Sequence, residues 1–196
     1  MRQAERRART TLRLLDAAAD VFARQGFHAA TVDDIADAAG YTKGAVYANF
    51  AGKDALFLAL LDRHLENQLA YVDRMVATPD AELRAGLHEA SRDHMATGGS
   101  FGLLMLEFWL YAARNAKARS ALAARYRRMR DRLAGMIDER DATRGIAGSR
   151  TPGEIAALVL ALDAGLFLQH LVDPDAITPE LRANAIAAVI GQARPG

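Results

Sequence analysis

The sequence predicts an all-α protein, built as an N-terminal three-helix headpiece followed by a larger C-terminal helical domain. Three observations predict it. Apolar residues recur at three- and four-residue spacings along nearly the whole chain, hydroxyl residues followed three positions later by acids mark helix starts, and glycine or proline punctuates the periodic stretches. A length of 196 residues suits one sizeable helical domain with a small headpiece, and excludes several large enzyme domains.

Composition narrows the class further. Hydrophobic residues make up 51% and charged residues 25%, with only 5 prolines, which favours a folded chain over a disordered one. There is no cysteine, so a disulfide framework is excluded and a reducing, cytoplasmic setting is expected. The basic N-terminus leads into no continuous apolar segment and does not read as a secretory signal. The longest apolar stretch, Ile155 to Leu168, is interrupted by Asp163 and is expected to be too short for a bilayer, so no membrane partner is expected. The net charge is +1, but Arg2, Arg6, Arg7, Arg9 and Arg13 crowd the first turns against Glu5 alone. Such an arm either neutralises phosphates or is a solvated, frayed terminus.

Leu12, Leu15, Ala19 and Phe22 give the first helix its apolar face, and Gly26 ends it. Thr31 followed by Asp34 starts a second helix, with Val32, Ile35, Ala36 and Ala39 as an inward stripe and Gly40 as its left-handed end. Thr42 caps a short third helix whose Val46 and Phe50 face inward. That leaves Lys43, Ala45, Tyr47 and Asn49 largely outside. Two short helices separated by Gly40 and Tyr41, packed on a longer one, form a helix-turn-helix, and this places a DNA-binding headpiece at residues 1–52.

From Asp54 to about Val76 a long helix carries Leu56, Leu60, Leu61, Leu65 and Leu69, opening the domain at residues 53–196. Pro79-Asp80 and Thr97-Gly98-Gly99-Ser100 punctuate the next helices, and Asp141 to Gly153 reads as an exposed connection. Thr151-Pro152-Gly153-Glu154 starts a very apolar helix to about Leu171. Pro174 breaks it, and Thr178-Pro179-Glu180 starts the last one.

The run from Phe27 to Leu56, FHAATVDDIADAAGYTKGAVYANFAGKDAL, resembles the signature segment of the TetR (tetracycline-repressor-like) family. Gly26-Phe27, Thr31, Ile35-Ala36, Ala39-Gly40, Thr42-Lys43-Gly44, Val46-Tyr47, Phe50 and Lys53 carry the match, over roughly residues 8 to 60. Asn49 departs from it, since many relatives hold histidine there. The resemblance implies a transcriptional regulator whose DNA contacts come from Thr31, Tyr41, Thr42, Lys43, Gly44, Ala45, Tyr47, Asn49 and Lys53. The chemistry suits those roles. Thr31 offers a hydroxyl and amides to a phosphate, or serves simply as a cap. Lys43 donates to guanine or phosphate, Gly44 permits close backbone approach, Tyr47 reaches a phosphate or is a core tyrosine, and Lys53 holds a phosphate or is merely solvated.

In such a family the last two helices pair with their copies in a homodimer, for which Leu158, Leu162, Leu166 and Ile186 are the expected outward surplus; an ordinary core helix is the alternative. The resemblance also implies a cavity for a small apolar or aromatic effector. The bulky run Phe101 to Tyr111 supplies Met105, Glu107, Phe108 and Trp109 as candidates, joined by Leu65, Tyr126, Met129, Asp163, Phe167 and His170. Aromatic and methionine residues at helical spacing equally describe plain core. Glu107, Asp163 and His170 are expected to be partly buried. No cofactor and no metal are expected. None of the five histidines follows a Glu at three residues, and no zinc-protease motif, phosphate loop or cysteine nucleophile is present, which argues against an enzyme. A nucleoid-type structural protein is disfavoured by the nearly neutral C-terminal domain.

Overall fold

A computed structural model describes residues 2–76, 80–145 and 150–191. Every regular element in them is a helix: α1 (Arg2–Ala29), α2 (Val32–Ala39), α3 (Lys43–Asn49), α4 (Lys53–Val76), α5 (Asp80–Thr97), α6 (Gly99–Arg114), α7 (Ala116–Arg144), α8 (Pro152–His170) and α9 (Pro179–Gly191). Pro79 and residues 146–149 of the expected connections lie outside the described residues, as does the side chain of Arg2.

The helix starts follow the local chemistry. Thr31 and Asp34 form a reciprocal capping box on α2, and Thr151 and Glu154 do the same on α8, each satisfying two otherwise orphaned amides. Thr42 accepts from the Ala45 amide to cap α3. Gly40 ends α2 with φ 70°.

Two compact units emerge, Met1–Leu65 with Leu103–Ala123, and Glu66–Gly102 with Ala124–Gly196. The division falls inside α4, α6 and α7, so it is a division of packing and differs from the boundary expected between residues 52 and 53. In the first unit α1 buries Leu14, Leu15, Ala18, Val21 and Phe22. Leu12, expected on this face, is 54% exposed. Apolar residues at 12, 14, 15, 17, 18, 19, 21 and 22 allow two overlapping stripes, and the better-filled one, at i, i+4, i+7 and i+8 from Leu14, faces inward. Ile35 and Ala36 of α2, Val46 of α3 and Leu56, Phe57 and Leu61 of α4 complete this core. Phe22, Phe27, Phe57 and Phe108 join it as an aromatic cluster, with Phe57 stacked on Phe108 at 3.9 Å between centroids and Phe27 edge-on to both.

The second unit centres on Leu133 and Ile137 of α7, Ile155, Ala156 and Val159 of α8, and Ile186 of α9. α9 packs on α5 and α8. Ile186 is therefore inside the protomer, 5% exposed, and not part of an outward surplus; α9 is apolar on most of its circumference, so periodicity does not say which face turns in. Leu162 rests partly on the same core, Leu166 is half-buried, and Leu158 is 42% exposed. Arg182 of α9 is buried, ion-paired with Asp163 of α8, and donates from Nη1 to the hydroxyl of fully buried Ser91 at 2.7 Å.

One boundary is corrected, and one reading of length. α7 continues to Arg144, so Asp141 to Arg144 are helical, held in part by an ion pair between buried Arg140 and Asp141. α8 has 19 residues and mean hydropathy 1.4, so by length and composition it is not too short to cross a bilayer. Its Ile155, Ala156, Val159 and Phe167 are instead buried against protein, and Asp163 is paired.

Candidate nucleic-acid interface

The helix-turn-helix is aimed by its buried residues. Val46 points into the headpiece core, and Thr42, Lys43, Gly44 and Tyr47 are consequently exposed at the start and outer face of α3. Tyr47 is 53% exposed. A β-carbon at Gly44 would meet nothing nearer than the Thr42 hydroxyl at 3.7 Å, so the backbone there lies open to an approaching molecule. Lys43 Nζ contacts Asp33 Oδ2 at 2.9 Å, and this hydrogen bond and charge hold the ammonium above its usual pKa. Both side chains are exposed, so the pair is weak and its lysine is available to a stronger anion.

Ala45 and Asn49 are not largely outside. Both are half-buried, because Asn49 Oδ1 accepts from the Thr11 hydroxyl at 3.3 Å and its amide donates to the Ala45 carbonyl at 2.8 Å. The first bond ties the end of α3 to α1, and the second closes within α3. The Thr10 side chain beside Tyr41, in the turn, draws its hydroxyl below the usual phenol pKa, with Arg13 and Arg9 adding to the effect against desolvation. The turn thus sits in the field of the basic arm.

Thr31 is exposed, and its hydroxyl donates to Asp34 Oδ2 at 2.6 Å while accepting from the Asp34 amide at 3.1 Å. These bonds lower the Asp34 pKa. The capping role is realised in full. Lys53, at the first residue of α4, is more engaged than its sequence position suggests. Its Nζ donates to the His28 carbonyl at 3.1 Å and lies 4.7 Å from the Phe27 ring centroid, and partial burial lowers its pKa.

The effector candidates distribute between the units. Leu65, Met105, Glu107, Phe108 and Trp109 belong to the first, and Tyr126, Met129, Asp163, Phe167 and His170 to the second. Phe108 is fully buried in the headpiece aromatic cluster. Glu107 Oε2 accepts the Phe27 amide at 2.6 Å. Leu65 and Met105 are half-buried, and Trp109 is 43% exposed. In the second unit Met129 is buried and Tyr126 half-buried. Phe167 is buried beside His94, 4.9 Å between ring centroids, and covers Gly98, where a β-carbon would come within 2.9 Å of its ring. His170 Nδ1 lies 2.7 Å from the Ile177 carbonyl. Glu107, Asp163 and His170 are not fully exposed, and each has a protein partner. Among the described residues no group of three His, Asp or Glu side chains gathers as a metal site.

Residues 14–60 match the family described as bacterial regulatory proteins, tetR family, and residues 79–193 match the C-terminal domain of BetI-type transcriptional repressors. The transcriptional activator FasR of Mycolicibacterium smegmatis is 45% identical over 65 residues, which are 33% of this chain and 30% of FasR. The regulator YfiR of Bacillus subtilis is 24% identical over 128 residues, 64% of this chain and 62% of its own. The chain thus spans less than two thirds of either relative. Among solved structures, GusR of Salmonella enterica superposes with a TM-score of 0.76 at 22% identity, covering 94% of this chain and 95% of its own. Matches in both parts of the chain, the second spanning more than half of it, agree with a helix-turn-helix followed by a helical domain: the protein belongs to the TetR family of transcriptional regulators.

Proposed function

We propose that the chain is a homodimeric repressor that binds a palindromic operator and is released from it by a small apolar or aromatic effector. The observation that carries the DNA half is the exposed start of α3, where Thr42, Lys43, Gly44 and Tyr47 stand on a helix fixed from behind by buried Val46. Residues 1–52 read the DNA, and residues 53–196 dimerise and receive the effector. The BetI-type repressor match supports the sign, although FasR, similar in its headpiece, is an activator. SmeT, the repressor of a multidrug efflux pump of Stenotrophomonas maltophilia, has been solved with triclosan; it has the same fold, with a TM-score of 0.71 at 22% identity over 93% of this chain and 90% of its own. That complex supports an aromatic effector here. The action is cytoplasmic, where operators are.

Dimerisation through α8 and α9, with Leu158 at its exposed centre and Leu162 and Leu166 beside it, would set the two α3 helices about 34–36 Å apart, one turn of DNA. Selection of bound duplex from a random pool tests the reading. The expected product is an inverted repeat with half-sites one turn apart; uniform retention of all sequences would favour a structural DNA protein, and no retention would overturn DNA binding. Effector action is tested on the selected operator by titrating aromatic and fatty compounds while following Trp109 emission. Binding that leaves operator affinity untouched removes the switch, because a ligand shifts an equilibrium only through unequal affinity for its two states.

A further inference from the structure

We propose that Glu107 is a positioning residue for operator binding, holding the segment that reads DNA at its point of entry while Tyr111, one turn on, holds it at its exit. The proposal rests on the DNA-binding reading above. It begins with a break in α1. Gly26 has φ 76° and ψ 169°, outside helical space, in a conformation that other residues adopt only with strain. The break removes Phe27 from the helical hydrogen-bond ladder while its side chain is fully buried, leaving an amide that needs a partner. That partner comes from 80 residues downstream: Glu107 Oε2 accepts the Phe27 amide at 2.6 Å, a charge-assisted bond. The fit is specific to glycine on the other side too, since a β-carbon at position 26 would lie 2.6 Å from Glu107 Oε1.

Beyond the break at Gly26 the chain leaves α1 at Ala29, forms α2 and α3 and returns at Lys53. Entry and exit are joined directly, because Lys53 Nζ donates to the His28 carbonyl. The same α6 that holds the entry also holds the exit: Tyr111 Oη donates to Asp54 Oδ2 at 3.0 Å, and Asn115 Nδ2 donates to Tyr111 Oη at 3.1 Å. Glu107 and Tyr111 are four residues apart, so both project from one helix face. The helix-turn-helix is therefore a closed loop clasped at both ends by α6, and the direction of α3 depends on both bonds. Loosening either should leave the exposed contact residues intact but spread their directions, which lowers affinity for the specific site and spares loose electrostatic binding.

The test uses Glu107→Ala, Glu107→Gln and Tyr111→Phe in the full-length protein, measured on DNA selected by the wild type and on random duplex. The expected result is a loss of about 5-fold or more in specific affinity for Glu107→Ala and Tyr111→Phe. Random-duplex affinity should be unchanged, and Glu107→Gln should restore specific binding because its amide oxygen can still accept from Phe27. Faster exchange of the Phe27 amide should accompany the loss in Glu107→Ala. If that variant melts earlier yet binds the selected DNA with full affinity, the bond is structural only and the proposal fails. If it does not fold, Tyr111→Phe decides, and undiminished specific affinity there overturns the clasp. A wild type that selects no DNA overturns the DNA-binding reading and the positioning role with it, whereas selected DNA bound alike by all variants overturns the positioning role alone.

Discussion

Gly44→Ala separates folding from DNA recognition, because the two should move in opposite directions. Position 44 is the second residue of α3, its φ is not positive, and an added β-carbon would find its nearest neighbour, the Thr42 hydroxyl, at an ordinary 3.7 Å. Nothing in the free protein resists the methyl group. Glycine inside a helix costs up to about 1 kcal/mol relative to alanine, and less in the first turn. The variant should therefore melt at the same temperature or up to about 4 °C higher. On DNA the methyl group stands where the backbone of α3 must approach, and it keeps Lys43 and Tyr47 from closing on their partners. Losing one good base or phosphate contact corresponds to about 1–3 kcal/mol, hence roughly 5- to 150-fold in affinity. Thermal unfolding and a mobility-shift titration on the selected operator measure both. An unchanged operator affinity would show that α3 does not approach DNA by its first turn. A fall in melting temperature with unchanged affinity would refute the geometry as well.

Lys43→Ala should relax preference at particular base pairs, while Tyr47→Phe should weaken binding evenly across sequences; identical selected motifs and affinities for both would place α3 outside the major groove. Leu158→Ala should leave the protomer folded and raise the dimer dissociation constant by about 30-fold, since burying its exposed 42% on both copies corresponds to roughly 2 kcal/mol; sedimentation across a dilution series decides. Ile186→Ala should behave differently, losing about 2–5 kcal/mol of protomer stability from the core it fills, as urea unfolding would measure. His94 should make stability fall as pH drops below 6.5. Burial disfavours its charged form, Arg182 adds to this, and Asp163 and Asp93 oppose it, so its folded pKa lies below 6.5 and the unfolded chain binds the proton more readily. The contribution is complete above pH 6.5 and declines toward the lower, folded pKa; urea midpoints that stay flat from about pH 7.5 to 5.5 would contradict this.

What was legible in the sequence was local. Thr31 with Asp34, Thr42, Thr151 with Glu154, Gly40 and the Gly98-Gly99 pair each act within four residues, and each stands where its chemistry puts it. The orientation of faces was less legible wherever apolar residues crowd the whole circumference. Leu12 and Leu14 compete on α1, and Ile186 sits on a helix with little polar surface to contrast with it. Long-range pairing left no trace at all. Nothing near Glu107 in the chain names Phe27, so an acid in an apolar run reads equally well as a pocket anchor or as the partner of a broken helix.

The run Phe101 to Tyr111 shows how such an ambiguity resolves. Read as a string it is apolar nearly throughout, and both a ligand lining and a core helix satisfy it. On α6 it separates into arcs. Leu104, Phe108 and Ala112 lie on one side and are buried, with Tyr111 at its edge reaching Asp54. Leu103, Leu106, Trp109 and Leu110 lie on the other, and all four are exposed. The buried arc packs into the headpiece, through Phe108 on Phe57 and Tyr111 to Asp54. Trp109 lies on the exposed arc, so its emission is the signal to follow in testing the proposed effector. Phe108 does not serve for this, because a ring packed at 3.9 Å on Phe57 has no room to answer a ligand without moving the headpiece itself.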